Sequence, residues 1–405
     1  MRLHCFGSMA AESNFKIVKK IRLDVSDDDT EKLFPLAAQF DIPISEVPCR
    51  LCHWTKQHIK YLGIKTSFQF DKTPFDFITS PIPCTGEIGI RVLTYDVERM
   101  IRREKEKKEK VSLILEFVKR SGFLDVIQNL YYTSFEELNT DSVMKLHSYK
   151  DHCFVPKGLP SNLDNWFRRF DTYGKSFMYV LSRLVENVMQ GVPNREVHFQ
   201  HLFDTLVKMF GMQSGLSFES CPPVQSLKIG NVEVQGSHDI LYTHHRINES
   251  ERKVEKPCII TVCKVSRQKP MSPCRIEITS SSKTRGKSAE TDQIPTSSTA
   301  SENGHCPIIA QLSEEMIGQH CGELLLKYSQ SIGHGSIFGI VVQQTQVTLT
   351  ELRMTETQYQ NIKAGNFTHC ELDKPSFMYT RPYNFMKMED LEKLVEPFIM
   401  FGLEP

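Results

Sequence analysis

Two short apolar segments carry one charge each, and their order constrains this chain more than any other feature of it. Asp239, in Gly236-Ser237-His238-Asp239-Ile240-Leu241-Tyr242, ends one apolar strand, and Lys264 lies inside the next, Cys258-Ile259-Ile260-Thr261-Val262-Cys263-Lys264-Val265. Metal-dependent phosphodiester cleavage needs this arrangement, in which a carboxylate binds the cation and a lysine stabilises developing negative charge. Val262 stands two residues before the lysine, where that chemistry calls for a second acid. The segment therefore points to a fold more firmly than to an activity.

The bulk of the chain sets wide bounds. At 405 residues and 40% hydrophobic it is long enough for two or three domains with buried cores. Lys plus Arg and Asp plus Glu both number 49, so no overall field draws the molecule to nucleic acid or to an acidic membrane, and any such attraction is local. The first residues lack a secretory apolar core, and no apolar run is long enough to span a bilayer. The expectation is an intracellular protein, nuclear or cytoplasmic, with no membrane partner. Twelve cysteines without a repeated spacing suggest reduced thiols. Cys49-Arg50-Leu51-Cys52, with His53 and His58 nearby, is the closest approach to a zinc pattern, but a structural site needs four ligands and no second pair exists; Cys84 or Cys153 would have to complete it through folding.

The organisation reads as a flexible lead over 1–14, a mixed α+β and helical module over 15–160, and a C-terminal part over 161–405. In the first module, short apolar runs such as Ile64–Phe70 and Ile88–Leu93 alternate with proline-bearing turns. From Asp96 to Arg120 lysines and arginines interleave with glutamates before an apolar face begins at Val111, which predicts a long helix that is solvated first and packed later. Phe123–Tyr132 and Phe135–Leu146 read as short helices, and Lys157-Gly158-Leu159-Pro160-Ser161 as a turn and boundary. Trp166, Phe167, Phe170, Tyr173 and Phe177 have helical spacing, in one helix or a pair interrupted near Gly174; with Arg168 and Arg169 they offer base stacking as an alternative to core packing. Between Thr279 and Ser301, twelve of twenty-three residues are Ser or Thr, so 266–306 is expected to be a disordered insertion, basic in its first half.

Without that insertion, the order from Asn194 is helix, hairpin, strand, helix, strand, strand, helix. Arg195-Glu196-Val197 opens a helix that ends at Gly211, Leu227–Val234 is a hairpin around Gly230-Asn231, Gln311–Ser329 is a helix, and Ile337–Val342 with Val347–Leu352 form a terminal hairpin. This succession resembles the PD-(D/E)XK nuclease superfamily, the restriction-endonuclease-like fold, over roughly residues 194 to 355. The resemblance implies an α/β domain with a mixed sheet flanked by helices, holding Mg²⁺ and acting on nucleic acid. It assigns Glu196 as the helix glutamate, Asp239 as the strand aspartate, Lys264 as the lysine, and Gln319 as the polar residue on the following helix. Asp239 and Glu196, with the backbone carbonyl of Cys263, would be the metal ligands.

Val262 departs from the family pattern, since a valine cannot ligate. Glu233, Glu255 or Glu277 are the candidates for an acid moved to a neighbouring element. Other readings of the same residues stand beside this one. Asp239 and Lys264 form a half-buried ion pair, Glu196 serves the helix dipole, Gln319 and Glu323 sit on a solvated helix face, and His244 and His245 are loop residues. The leading expectation is a nuclease-fold protein that binds DNA or RNA and cleaves it with Mg²⁺. The alternative is a pseudo-nuclease serving as a binding or assembly module, with a protein partner.

Overall fold

A computed structural model of the chain describes residues 48–79, 94–130, 137–149, 154, 163–214, 224–244, 247–248, 253–254, 258–266, 312–331, 335–367 and 374–403. The expected N-terminal lead, the run 88–93, the turn 157–161, the insertion beyond Ser266, and Cys84, Cys153, His245, Glu255 and Glu277 lie outside the described residues.

A 3-10 turn at Leu51–His53 leads into helix α1 (Lys56–Tyr61), strand β1 (Lys65–Gln69), α2 (Pro74–Thr79), α3 (Thr94–Arg120), α4 (Phe123–Leu130), α5 (Thr140–Ser148), α6 (Asp164–Met189) and α7 (Glu196–Met209). The hairpin β2 (Gln225–Ile229) and β3 (Val232–Gly236) follows, then β4 (Ile240–His244), the short β5 (Ile247–Asn248) and β6 (Lys253–Val254), and β7 (Cys258–Ser266). Helix α8 (Glu314–Lys327), β8 (Ser336–Gln343), β9 (Gln346–Arg353), α9 (Glu356–Ala364), β10 (Ser376–Thr380), β11 (Tyr383–Asn384) and α10 (Met388–Gly402) complete the described chain.

The protein is α/β, built on a mixed seven-stranded sheet in the order β1-β10-β9-β8-β7-β4, with β11 beside β9. Strands β7 and β8 run parallel, as do β1 and β10, while β4 with β7, β8 with β9, and β9 with β10 are antiparallel. A parallel pair requires a crossover, and α8 lies in the one between β7 and β8. Because successive side chains of a strand point to opposite faces, β7 and β8 feed two cores. Val262 and Val341 join Leu51, Ile59, Ile317, Leu324 and Phe377 on one side. Cys263, Val265, Ile340 and Val342 join Phe177, Phe203 and Phe398 on the other.

Segments on both sides of the expected division near residue 160 meet in one sheet and one core. Strand β1 pairs with β10 from Lys65↔Ser376 to Gln69↔Thr380, so residues ahead of the expected boundary supply an edge of the same sheet. Val111 and Phe117 of α3 and Leu146 of α5 share a core with Phe177 and Phe398. The apolar faces of these helices are buried together with the sheet face. The expected terminal hairpin is present as β8 and β9, but it is internal: β10 extends the sheet from β9, and α10 packs behind it.

Other expectations hold. In α3, Lys105, Glu106, Lys108, Glu109 and Lys110 are exposed, while Val111, Ile114 and Val118 are buried. Helix α6 is continuous through Gly174, and its Phe167, Phe170 and Phe177 are buried in ring contacts such as Phe123–Phe177 at 5.9 Å, which makes them core. Among the described residues no helix is long and apolar enough to cross a membrane.

The N-terminal segment is locked to α8 through Gly318. A Cβ added there would meet the backbone of Thr55 at 2.3 to 2.5 Å, a contact that neither side chain can relieve. Helix propensity alone favours Ala over Gly by about 1 kcal/mol. We predict that Gly318→Ala nevertheless destabilises the protein by roughly 1–3 kcal/mol, the range for overpacking. A denaturant midpoint at or above that of the native chain would mean that residues 48–79 are not docked as described.

Candidate functional site

Residue Asp239 lies immediately before β4, opposite Lys264 in the register that pairs Ile240 with Cys263. The carboxylate therefore opens its strand, where the sequence reading had it ending one, yet it still meets the lysine. Lys264 Nζ lies 3.1 Å from Oδ2 and 3.3 Å from Oδ1 of Asp239. The Val265 backbone N–H donates to Asp239 Oδ2 at 2.7 Å, and the Gln200 amide of α7 donates to the Asp239 carbonyl at 2.7 Å. Strand β7 thus holds the carboxylate, and α7 holds the backbone of the same residue.

A second carboxylate comes from α8, and the sequence reading had placed it on a solvated face. Glu323 is 2% exposed, and its Oε1 lies 3.9 Å from Lys264 Nζ. The Gln319 amide, one turn earlier on α8, donates to Oε1 at 3.2 Å. Glu323 Oε2 lies 3.5 Å from Nδ1 of buried His320 and has no hydrogen-bond partner, while His320 Nε2 sits 2.8 Å from Thr350 Oγ1. The helix that covers β7 thus brings a carboxylate to Lys264 that the strand itself lacks at Val262. Val262 is fully buried in the apolar core beneath α8. An acid there would be enclosed by hydrocarbon, which penalises its charged form.

Burial governs the protonation of this cluster. It pushes the Glu323 carboxyl up to about 8, with the Asp239 charge adding to the rise and Lys264 and the Gln319 hydrogen bond opposing it. Burial also pulls Lys264 toward neutrality, but Glu323, then Asp239 and its hydrogen bond, with Glu196 last, reverse this and hold its pKa above the ordinary value. His320 is driven down to about 3 by burial, with the Lys264 charge acting in the same direction, so the imidazole is neutral. His238, buried next to Asp239, is lowered to about 4 by burial and by Lys327.

The other expected residues separate. Gln319 lines the same cavity as Lys264 and Glu323. Glu196 opens α7 and is exposed, and its charge reaches Lys264 more weakly than those of Glu323 and Asp239. Cys263 turns its thiol into the opposite core, so its contribution to the site is confined to its backbone carbonyl. Glu233, one of the three candidate substitutes, is exposed on β3 and pairs across the hairpin with Lys228 in the strand register. Cys49 and Cys52 are free and exposed, and among the described residues no group of three or more His, Cys, Asp or Glu is arranged to hold a metal ion. Two further residues belong to the site, Gln200, which the sequence reading does not name, and Glu323, which it places on a solvated face. Gln200 carries no signal separable from a polar helix face, whereas Glu323 falls four residues after Gln319, one helical turn along the same face.

No family model, no curated protein and no solved structure matches this chain.

The Glu323 carboxyl gives a stability test with a defined sign. Its folded pKa of about 8 lies above the ordinary 4.5, so the folded state keeps a proton that the unfolded chain releases. The stabilising contribution is complete below pH 4.5 and is lost as pH rises through about 8. Glu323→Gln mimics the protonated form. In metal-free buffer we predict that its advantage in unfolding free energy over the native chain grows between those two pH values, to a few kcal/mol, at about 1.4 kcal/mol per pKa unit. A pH-independent difference in urea midpoints would show that Glu323 titrates normally.

Proposed function

We propose that the chain is a degenerate member of the PD-(D/E)XK superfamily that binds nucleic acid and cleaves its phosphodiester bonds with a divalent cation. The observation that carries this reading is Lys264 held between Asp239, at 3.1 Å, and the buried Glu323, at 3.9 Å, with Lys264 and Glu323 lining one cleft. Support also comes from the strand arrangement, in which β4, β7 and the β8–β9 hairpin lie side by side in one mixed sheet with α8 in the β7–β8 crossover.

The donor set fits a hard cation. Glu323 Oε2 is a buried carboxylate oxygen with no donor, and burial, aided by the Asp239 charge, raises the pKa of its carboxyl to about 8. Asp239 and Glu323 are the residues that would hold Mg²⁺, which when bound withdraws charge from phosphoryl oxygens and acidifies water. Lys264 keeps its proton and presents a fixed positive charge where negative charge develops, in a partly buried setting that strengthens the interaction. Gln319 orients Glu323, and Gln200 with the Val265 N–H orients Asp239.

One observation favours the second reading, a pseudo-nuclease that serves as a binding or assembly module. Both oxygens of Asp239 already have partners, Lys264 and the Val265 N–H, so the pair is neutralised internally. Cleavage of single- and double-stranded DNA and RNA with Mg²⁺ or Mn²⁺ decides between them. Asp239→Ala, Lys264→Ala and Glu323→Gln are each expected to lower the rate by about a hundredfold or more with the fold retained. A folded native chain that cuts none of these substrates would establish the pseudo-nuclease reading; salt-sensitive binding would then mark a nucleic-acid module, and its absence a protein assembly module.

A further inference from the structure

The cleft above Lys264 has a rim built from the N-terminal segment. Arg50, Cys52, Ser237, Lys264, Gln319 and Glu323 line one cavity of about 450 Å³. The charge of Lys264 is already shared with Asp239 and Glu323, whereas Arg50 is exposed and its guanidinium has no carboxylate partner among the described residues. A polyanion approaching the Asp239 carboxylate is favoured by an unshared cation at the mouth.

The mount of Arg50 is rigid. The Gln235 N–H donates to the Cys49 carbonyl at 2.7 Å, Arg50 bridges to Gln235 in parallel, and the Trp54 indole N–H closes the loop onto the Pro48 carbonyl at 2.8 Å. Leu51 is buried between Gly236 of β3 and Gly322 of α8, where a Cβ added at either glycine would lie 2.5 Å from the Leu51 side chain. This buried neighbour anchors Arg50 against both the hairpin and the helix that carries Glu323. An ordinary solvated arginine has no such support.

We propose that Arg50 grips a backbone phosphate of the nucleic-acid strand beside the one that reaches Lys264, an assignment that rests on the nucleic-acid reading above. The planar guanidinium donates two parallel N–H bonds to a phosphate, which an ammonium cannot reproduce. Arg50 is thus a substrate-positioning residue contributed by a part of the chain far from the strands that carry Asp239 and Lys264.

The test compares the full chain with Arg50→Gln and Arg50→Lys. Binding of fluorescein-labelled single-stranded DNA and RNA is titrated over a range of salt, and alkylation of Cys52 by iodoacetamide is followed by mass spectrometry. Cys49, exposed but outside the cavity lining, is the internal control. We expect the native chain to bind and the oligonucleotide to shield Cys52. Arg50→Gln should weaken binding by about tenfold, lower the slope of log K against log salt by about 0.7 and remove the shielding. Arg50→Lys should recover the slope without the full affinity. Equal affinity, slope and shielding in Arg50→Gln would overturn the assignment while leaving the nucleic-acid reading intact. Absence of any binding by the native chain would remove that reading itself. Shielding by inorganic phosphate alone, lost in Arg50→Gln, would overturn the strand assignment in favour of a small phosphorylated ligand.

Discussion

Strand β7 is covered on both faces, and the character of the candidate site follows from that one constraint. Alternation sends Cys263 and Val265 into one core and Val262 into the other, and it sends Lys264 toward the same side as Val262. A lysine so placed keeps its charge only if carboxylates meet it, because the surrounding hydrocarbon favours the neutral amine. The cross-strand neighbour Asp239 and the overlying α8 residue Glu323 provide them. One strand and the helix above it therefore determine both where the charge sits and which side chains can reach it.

The two carboxylates are not equivalent. Asp239 is saturated by Lys264 and a backbone N–H. Glu323 is buried deeper, keeps one oxygen without a donor, and holds a proton near neutral pH. Such a pair combines one group that fixes geometry with one whose charge depends on what enters the cleft. A fold selected for stability alone would fill the place of Glu323 with an apolar residue, as it does at Val262 two residues before the lysine.

Much of the fold was legible in the sequence where period and punctuation agreed. The helix from Glu196, the hairpin around Gly230, the apolar run of β7 and the β8–β9 pair all carry a local signal, either alternation or a break at glycine. The joining of β1 to β10 left no such trace, because strand pairing between distant segments depends on exposed backbone groups and not on residue type. Hence the N-terminal segment read as a separate module. At the site, Asp239 and Lys264 were visible as charges in apolar surroundings. Glu323 was hidden, since a glutamate on a helix reads as solvated until the helix is known to lie over a strand.

The pairing of β1 with β10 also sets an order of events during synthesis. The Tyr383 hydroxyl donates to the Lys72 carbonyl across 311 residues of sequence, and Lys65 finds Ser376 over the same distance. Ribosomes add about 5–20 residues per second, so β1 waits on the order of tens of seconds for its neighbour. Through that interval Ile59, Tyr61 and Ile64 lack the face that buries them in the finished protein. A chain of this topology therefore carries an apolar segment without its sheet neighbour for most of its synthesis.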